Sequence, residues 1–204
     1  MTQAPSPVSS RRHAIGRDDI MPMDEYGRIR AERRRALVAV KRTRRLAVGP
    51  YATFHFESYE TMWSQVHEML FIERGGEAQV EDELRAYNPL IPKGRELVAT
   101  VMFEIDDPLR RKALLGRLGG VENTLWLEFA GEKVRGLPEA DLDRTSAAGK
   151  ASSVQFVHFP FTDAQVALFR QPNTRVVVGI DHDQYPHMTV MPEAVRAALA
   201  EDFD

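Results

Sequence analysis

Residues 51–76 read "YATFHFESYETMWSQVHEMLFIERGG", and the way they are read decides the fold. The first half alternates: Phe54 and Phe56 share one face, His55 and Glu57 the other, as along a half-buried strand. From about Tyr59 the period lengthens. Met62, Val66, Met69 and Leu70 recur at helical spacing with Trp63 beside them, and Gly75-Gly76 ends the run near Glu73. A strand that hands directly to a helix implies a chain of mixed secondary structure.

The same helix raises the question of chemistry. At about 100° per residue, Glu73 falls in the middle of the apolar face and Glu68 lies on a flank with Gln65, while Glu60 and His67 point to the far side. His67 and Glu68 are adjacent but project about 100° apart, so one metal ion would not meet both. The Glu-x-x-His spacing of carboxylate-bridged metal bundles is absent, as is His-x-x-x-His.

Upstream, residues 23–45 have the same period. Tyr26, Ile29, Ala36, Leu37 and Val40 form one arc; Arg33 and Arg44 fall inside it and Arg30 borders it. Arg28, Arg35 and Arg42 line the opposite side. A guanidinium on a buried face needs a carboxylate fork, because an unpaired buried charge costs several kcal/mol. Glu73 and Glu57 are the expected partners. The expectation is an interior Arg–Glu network joining the two helices, drawn from Arg30, Arg33, Arg44, Glu57, Glu68 and Glu73. In a functional variant the same arginines line a pocket for a phosphate or carboxylate anion.

Downstream, "EAQVEDELRAY" reads as a second, acidic helix that breaks at "NPLIP". From residue 93 the text turns to strands: "ELVATVMFEI", "TLWLEFA", "SSVQFVHF" and "TRVVVGI", with a last one near "HMTV". Short helices interrupt them. One is capped by Asp107 with Pro108 in its first turn, another by the Thr162/Gln165 spacing, and a third closes the chain after Met191-Pro192. The fold class is α+β: a helical N-terminal part packed on a mainly antiparallel sheet in one domain, 18–204. Residues 18–92 are its helix-rich half and 93–204 its strand-rich half. Residues 1–17, polar and rich in Pro and Ser, read as a mobile tail.

A second concentration of titratable groups lies in "GIDHDQYPH", where Asp181, His182, Tyr185 and His187 sit at a strand-to-turn junction. An Asp–His pair there suits a general base or part of a metal set, and Asp-His-Asp is equally good turn chemistry.

The 204 residues contain no cysteine, which removes thiol catalysis, disulfides and Cys-ligated metal from this chain. No apolar run approaches the roughly 18–20 residues of a membrane span, and a cytoplasmic protein is the expectation. The net charge of −3 conceals two blocks: residues 11–50 hold 12 Lys/Arg against 5 Asp/Glu, and residues 51–107 hold 4 against 12. Opposite blocks next to each other can neutralise inside one fold or present two faces to partners. No P-loop, G-x-G-x-x-G, G-x-S-x-G or H-E-x-x-H motif occurs.

Six segments taken in order, "MPMDEYGRIRAERRR", "KRTRRLAVGP", "FESYETMWSQVHEML", "ELRAYNPLIP", "ELVATVMFEIDD" and "GIDHDQY", resemble a bacterial family catalogued as domain of unknown function 3501. The resemblance runs from about Ile20 to Asp202. It implies a gene neighbourhood shared with a rubrerythrin-like protein and an iron–sulfur oxidoreductase, and so a part in redox or peroxide defence; that warrant is associational. It brings no catalytic residues, metal or cofactor.

Three functional expectations follow. The first is an accessory protein of a redox system without catalysis of its own, partnered by the iron–sulfur oxidoreductase or the rubrerythrin-like protein. The second is a small metal- or carboxylate/His-dependent enzyme. The third is an anion or nucleic-acid binder acting through helix 23–45. Nucleic acid is disfavoured because the chain is acidic overall and the basic segment has Tyr26 as its lone aromatic.

Overall fold

A computed structural model describes residues 13–139, 145 and 149–204. The helical part comprises α1 (Met23–Arg42), α2 (Tyr59–Glu73) and α3 (Glu77–Tyr87), with β1 (Arg45–Val48) and β2 (Ala52–Phe56) between the first two. Then come β3 (Glu96–Phe103), α4 (Pro108–Leu115), β4 (Leu125–Phe129), β5 (Glu132–Arg135) and β6 (Leu137–Pro138). β7 (Val154–Pro160), α5 (Asp163–Arg170), β8 (Val176–His182), β9 (Tyr185–Val190) and α6 (Glu193–Ala200) complete the chain. This is an α+β protein with its helices mostly N-terminal. The strands form two antiparallel sheets, in the orders β1-β2-β3-β7-β6 and β5-β4-β8-β9.

The main core lies between the two sheets. Phe54, Phe56, Leu97, Val101, Val157 and Phe159 from the first meet Leu125, Leu127, Val176, Val178 and Ile180 from the second, and α5 and α6 add Phe169 and Leu199. Alternation along β3 sends Val98 to the other side of its sheet. There it joins a second cluster with Met62, Val66 and Leu70 of α2 and Val80 and Leu84 of α3. The five-stranded sheet is therefore covered on both faces, by a sheet on one and by helices on the other.

Local signals explain the element ends. Ser58 caps α2 by accepting from the Thr61 amide, Asp107 caps α4 through the Arg110 amide, and Thr162 with Gln165 forms the capping box of α5. α1 ends at Arg42 rather than at residue 45, because Thr43 closes the last turn and Arg45 already belongs to β1. β1, β5 and β6 are strands the sequence reading did not place.

The tail expected over residues 1–17 is corrected from His13 onward; residues 1–12 lie outside the described residues. Ile15 is buried, with its amide and carbonyl both bonded to the Asn88 side chain. Arg17 reaches Glu77 and Glu81 of α3. Residues 13–22 thus run across the helices as a strap.

Candidate functional site

α1 crosses α2 at Gly27, where an added Cβ would come within 2.9 Å of the Phe71 ring. This close approach brings Tyr26 and Arg30 onto α2. Arg30 grips Glu68 bidentately, Nε to Oε1 at 2.8 Å and Nη2 to Oε2 at 2.7 Å, and the Tyr26 hydroxyl donates to the same Oε1 at 2.8 Å. The guanidinium also lies 4.8 Å from the centre of the Phe71 ring. Arg30, the principal cause, holds the Glu68 carboxyl below the usual carboxylate range. Burial first, and Glu68 second, push the Tyr26 hydroxyl up to about 12. An Arg–Glu link between the two helices exists, and Arg30 and Glu68 make it.

The other expected members go elsewhere. Arg33 is exposed, with its guanidinium 5.1 Å from the Trp63 ring, and Glu73 is exposed at the last position of α2, where it accepts from Gln79. Neither is an interior charge. Arg44 is partly buried, and its carboxylate comes from the end of the chain: Nη1 and Nη2 reach Asp202 at 2.8 and 2.6 Å, and Nη1 also donates to the Glu57 carbonyl oxygen. Among the described residues, the Glu57 side chain forms no ion pair with an arginine. Its two oxygens accept from Thr61 and Thr100, at 2.6 and 2.7 Å.

His67, placed on the outward side of its helix by the sequence, is completely buried. Its Nε2 accepts from the Met21 amide at 3.2 Å, its Nδ1 donates to the Trp63 carbonyl at 2.8 Å, and its ring stacks 3.7 Å from that of Trp63. Two ring nitrogens in these opposite roles fix the neutral tautomer. Burial is the main cause that depresses its pKa below the ordinary value of 6.5.

Of Asp181, His182, Tyr185 and His187, only Tyr185 and His187 meet, ring edge to face with centroids 4.4 Å apart. In the β8–β9 hairpin His182 pairs with Tyr185 and Ile180 with His187, so these share the inner face, while Asp181 pairs with Pro186 on the outer one. Asp181 bonds Lys133 at 3.0 Å, and His182 Nε2 meets the Gly119 carbonyl. The Tyr185 hydroxyl donates to the Val48 carbonyl and accepts from the Tyr51 and Ala52 amides, which pins the β1–β2 turn. Gly49, at φ 69°, leaves the room that the His187 ring and Tyr185 hydroxyl occupy. Among the described residues, no three or more His, Asp or Glu side chains gather closely enough to hold a metal ion.

What stands out is α1 itself. Of its 20 residues Tyr26 alone is buried. Arg28, Arg35 and Arg42 are all exposed and, seven residues apart, lie along one line of the helix. Arg28 pairs with Asp24, a turn earlier, and Arg35 bonds the Ala31 carbonyl. Arg42 makes no hydrogen bond or ion pair with any described residue. No helix among the described residues is long and apolar enough to cross a membrane.

Comparison with known proteins adds kinship. A family model described as "Protein of unknown function (DUF3501)" matches residues 14–203. A crystal structure of a novel protein of unknown function from Burkholderia pseudomallei K96243 is similar to this chain at 32% identity and a TM-score of 0.87, covering 94% of this chain and 100% of that one. No curated protein matches.

Proposed function

The chain belongs to the DUF3501 family, and on that premise we propose that it is an accessory protein, without catalysis of its own, that docks an acidic protein surface along the outer stripe of α1. The observation that carries this reading is that stripe. A 20-residue helix buries one side chain and presents Arg28, Arg35 and Arg42 in a row to solvent. Helices usually earn their place by an apolar face on the core; α1 is held to α2 mainly through Tyr26, Arg30 and the Phe71 contact, and most of its surface is left over.

Aligned surface charge of one sign steers encounter and fixes register with an oppositely charged partner. The partner class is the one the family resemblance implies, an iron–sulfur oxidoreductase or a rubrerythrin-like protein, in a cytoplasmic redox or peroxide-defence system. Duplex nucleic acid is the competing occupant.

The test is calorimetric titration of the purified chain with each of those two proteins, at low and high salt. Arg35→Glu/Arg42→Glu weakens the complex at least tenfold, and salt weakens the native complex as the charges are screened. No binding to either protein, or a double variant that binds as the native chain does, refutes the reading. Salt-dependent retention of the native chain on duplex DNA moves the stripe to nucleic acid.

A further inference from the structure

A cavity of about 340 Å³ lies between the outer face of the five-stranded sheet and α2. That is the small end of the range for ligand pockets, roughly 300–1,000 Å³. His55 of β2, Glu57 just beyond that strand and Thr100 of β3 supply its polar floor, and Met62, Tyr87 and Phe156 stand among its apolar walls.

The floor is short of donors. Glu57 is 8% exposed, yet its carboxylate forms no ion pair among the described residues; each oxygen receives one threonine hydroxyl. A carboxylate has about four lone-pair directions, so roughly half its accepting capacity is left. The Arg44 guanidinium borders the same cavity but is committed to Asp202 and to the Glu57 backbone carbonyl. Next to Glu57 on the same strand face, the His55 Nε2 is buried with no hydrogen-bond partner among the described residues. Burial, the largest influence, holds His55 below its ordinary pKa, so at neutral pH the ring is uncharged. A buried carboxylate without a counter-ion is costly, and a buried polar atom without a partner also calls for a reason. One small cationic group with several N–H donors answers the carboxylate.

We propose that this cavity binds a protonated primary amine on a small apolar or aromatic body, its ammonium on the Glu57 carboxylate and its body against Met62, Tyr87 and Phe156. An ammonium has three donors, enough to fill more than one of the open lone-pair directions of the Glu57 carboxylate. Tyr87 and Phe156 add aromatic surface, which attracts a cation as well as covering the ligand's carbon. Lys41, exposed on α1, also borders the cavity. A plain amine leaves Lys41 in water, whereas an amino acid would offer it a carboxylate. The two sources share the ammonium chemistry and differ there. This inference does not depend on the docking role of α1, and the stripe residues Arg28, Arg35 and Arg42 do not line the cavity.

The experiment uses the full chain with three probes, 2-phenylethylamine, 2-phenylethanol and L-phenylalanine, followed by calorimetry and thermal shift. The amine binds and raises Tm, and the alcohol, its neutral counterpart, binds at least tenfold more weakly. Glu57→Gln keeps the size of the side chain and loses the amine by at least tenfold, and Met102→Trp, which fills the cavity from β3, abolishes binding in a folded protein. Phenylalanine tighter than the amine brings Lys41 into the site, and phenylalanine weaker identifies a plain amine; either order upholds the ammonium on Glu57. Equal binding of alcohol and amine, no binding of either amino compound to the native chain, or a folded Glu57→Gln that binds unchanged overturns the proposal. Should Glu57→Gln not fold, the amine-against-alcohol comparison on the native chain and the Met102→Trp variant decide it.

Discussion

Removing the Asp202 carboxylate tests the energetics of the interior most directly. Arg44 and Asp202 lie 158 residues apart in sequence and are only 12% and 10% exposed at the side chain. Asp202→Ala strands a buried guanidinium, which keeps one bond to the Glu57 carbonyl and loses its charged partner. Breaking a buried pair from one side costs roughly 3–5 kcal/mol. The remaining carbonyl bond and the slight exposure place this case at the lower end, about 3 kcal/mol. For a chain of this size that lowers Tm by about 6–12 °C. Replacing both partners with apolar residues of similar volume, Arg44→Met with Asp202→Leu, removes the stranded charge and should restore stability to within about 1 kcal/mol of native. The assay is urea unfolding of native, single and double variants as a double-mutant cycle. A single-variant loss below about 1 kcal/mol would mean that the pair behaves like a surface salt bridge, and the reasoning would fail.

Two further predictions concern buried groups. Both His55 and His67 are held below 6.5 in the folded chain, so the unfolded chain takes up protons first as pH falls. Their contribution is complete above about pH 6.5 and is lost as pH drops from there through the depressed folded values; urea midpoints between pH 8 and 5 should fall on the acid side, with a shallower slope in His67→Gln. An unchanged midpoint across that window would contradict the assignment. Tyr185→Phe orphans the Val48 carbonyl and the Tyr51 and Ala52 amides, each roughly 1–3 kcal/mol if unsatisfied, and a loss of about 3 kcal/mol is expected after relaxation. A cost under about 1 kcal/mol would show that water replaces the hydroxyl.

The legible part of the fold was the part governed by local rules. The alternation of β3, β7 and β8, the Asp107 and Thr162 caps and the hand-over from β2 to α2 are all written within ten residues of themselves. The misread part has one physical root. A helical wheel assumes a single buried face, but α2 is covered twice, by the sheet and α3 on one side and by α1 and the strap on the other. A wheel that gives α2 one buried face, with residues 13–17 taken as tail, sets His67 in solvent. Its actual neighbours, the Met21 amide and the Trp63 ring, belong to that covering layer or to the helix beneath it. The sequence points to an Arg–Glu link as a type, and Arg30 with Glu68 makes it rather than Arg33, Arg44, Glu57 or Glu73. Extending the first helix to residue 45 gave Arg44 a helical direction it does not have, and no spacing rule could connect it to Asp202. The Glu57 cavity had a faint signal: His55 and Glu57 alternate onto one strand face with no cation at the matching spacing.

The five-stranded sheet, clothed on one face by strands and on the other by helices, divides the molecule into two cooperative parts of unequal strength. The larger core lies between the sheets, and the smaller one, around Met62, Val66 and Val98, lies under the helices. A layer with less buried apolar area opens at lower free energy, so hydrogen exchange is expected to be faster for the amides of α1–α3 than for those of the strands between the two sheets. Arg44, just beyond α1, and Asp202, just beyond α6, join that layer to the end of the sandwich. Breaking that pair is therefore expected to speed exchange in the helical layer, whose boundary with the sheet also holds the Glu57 cavity.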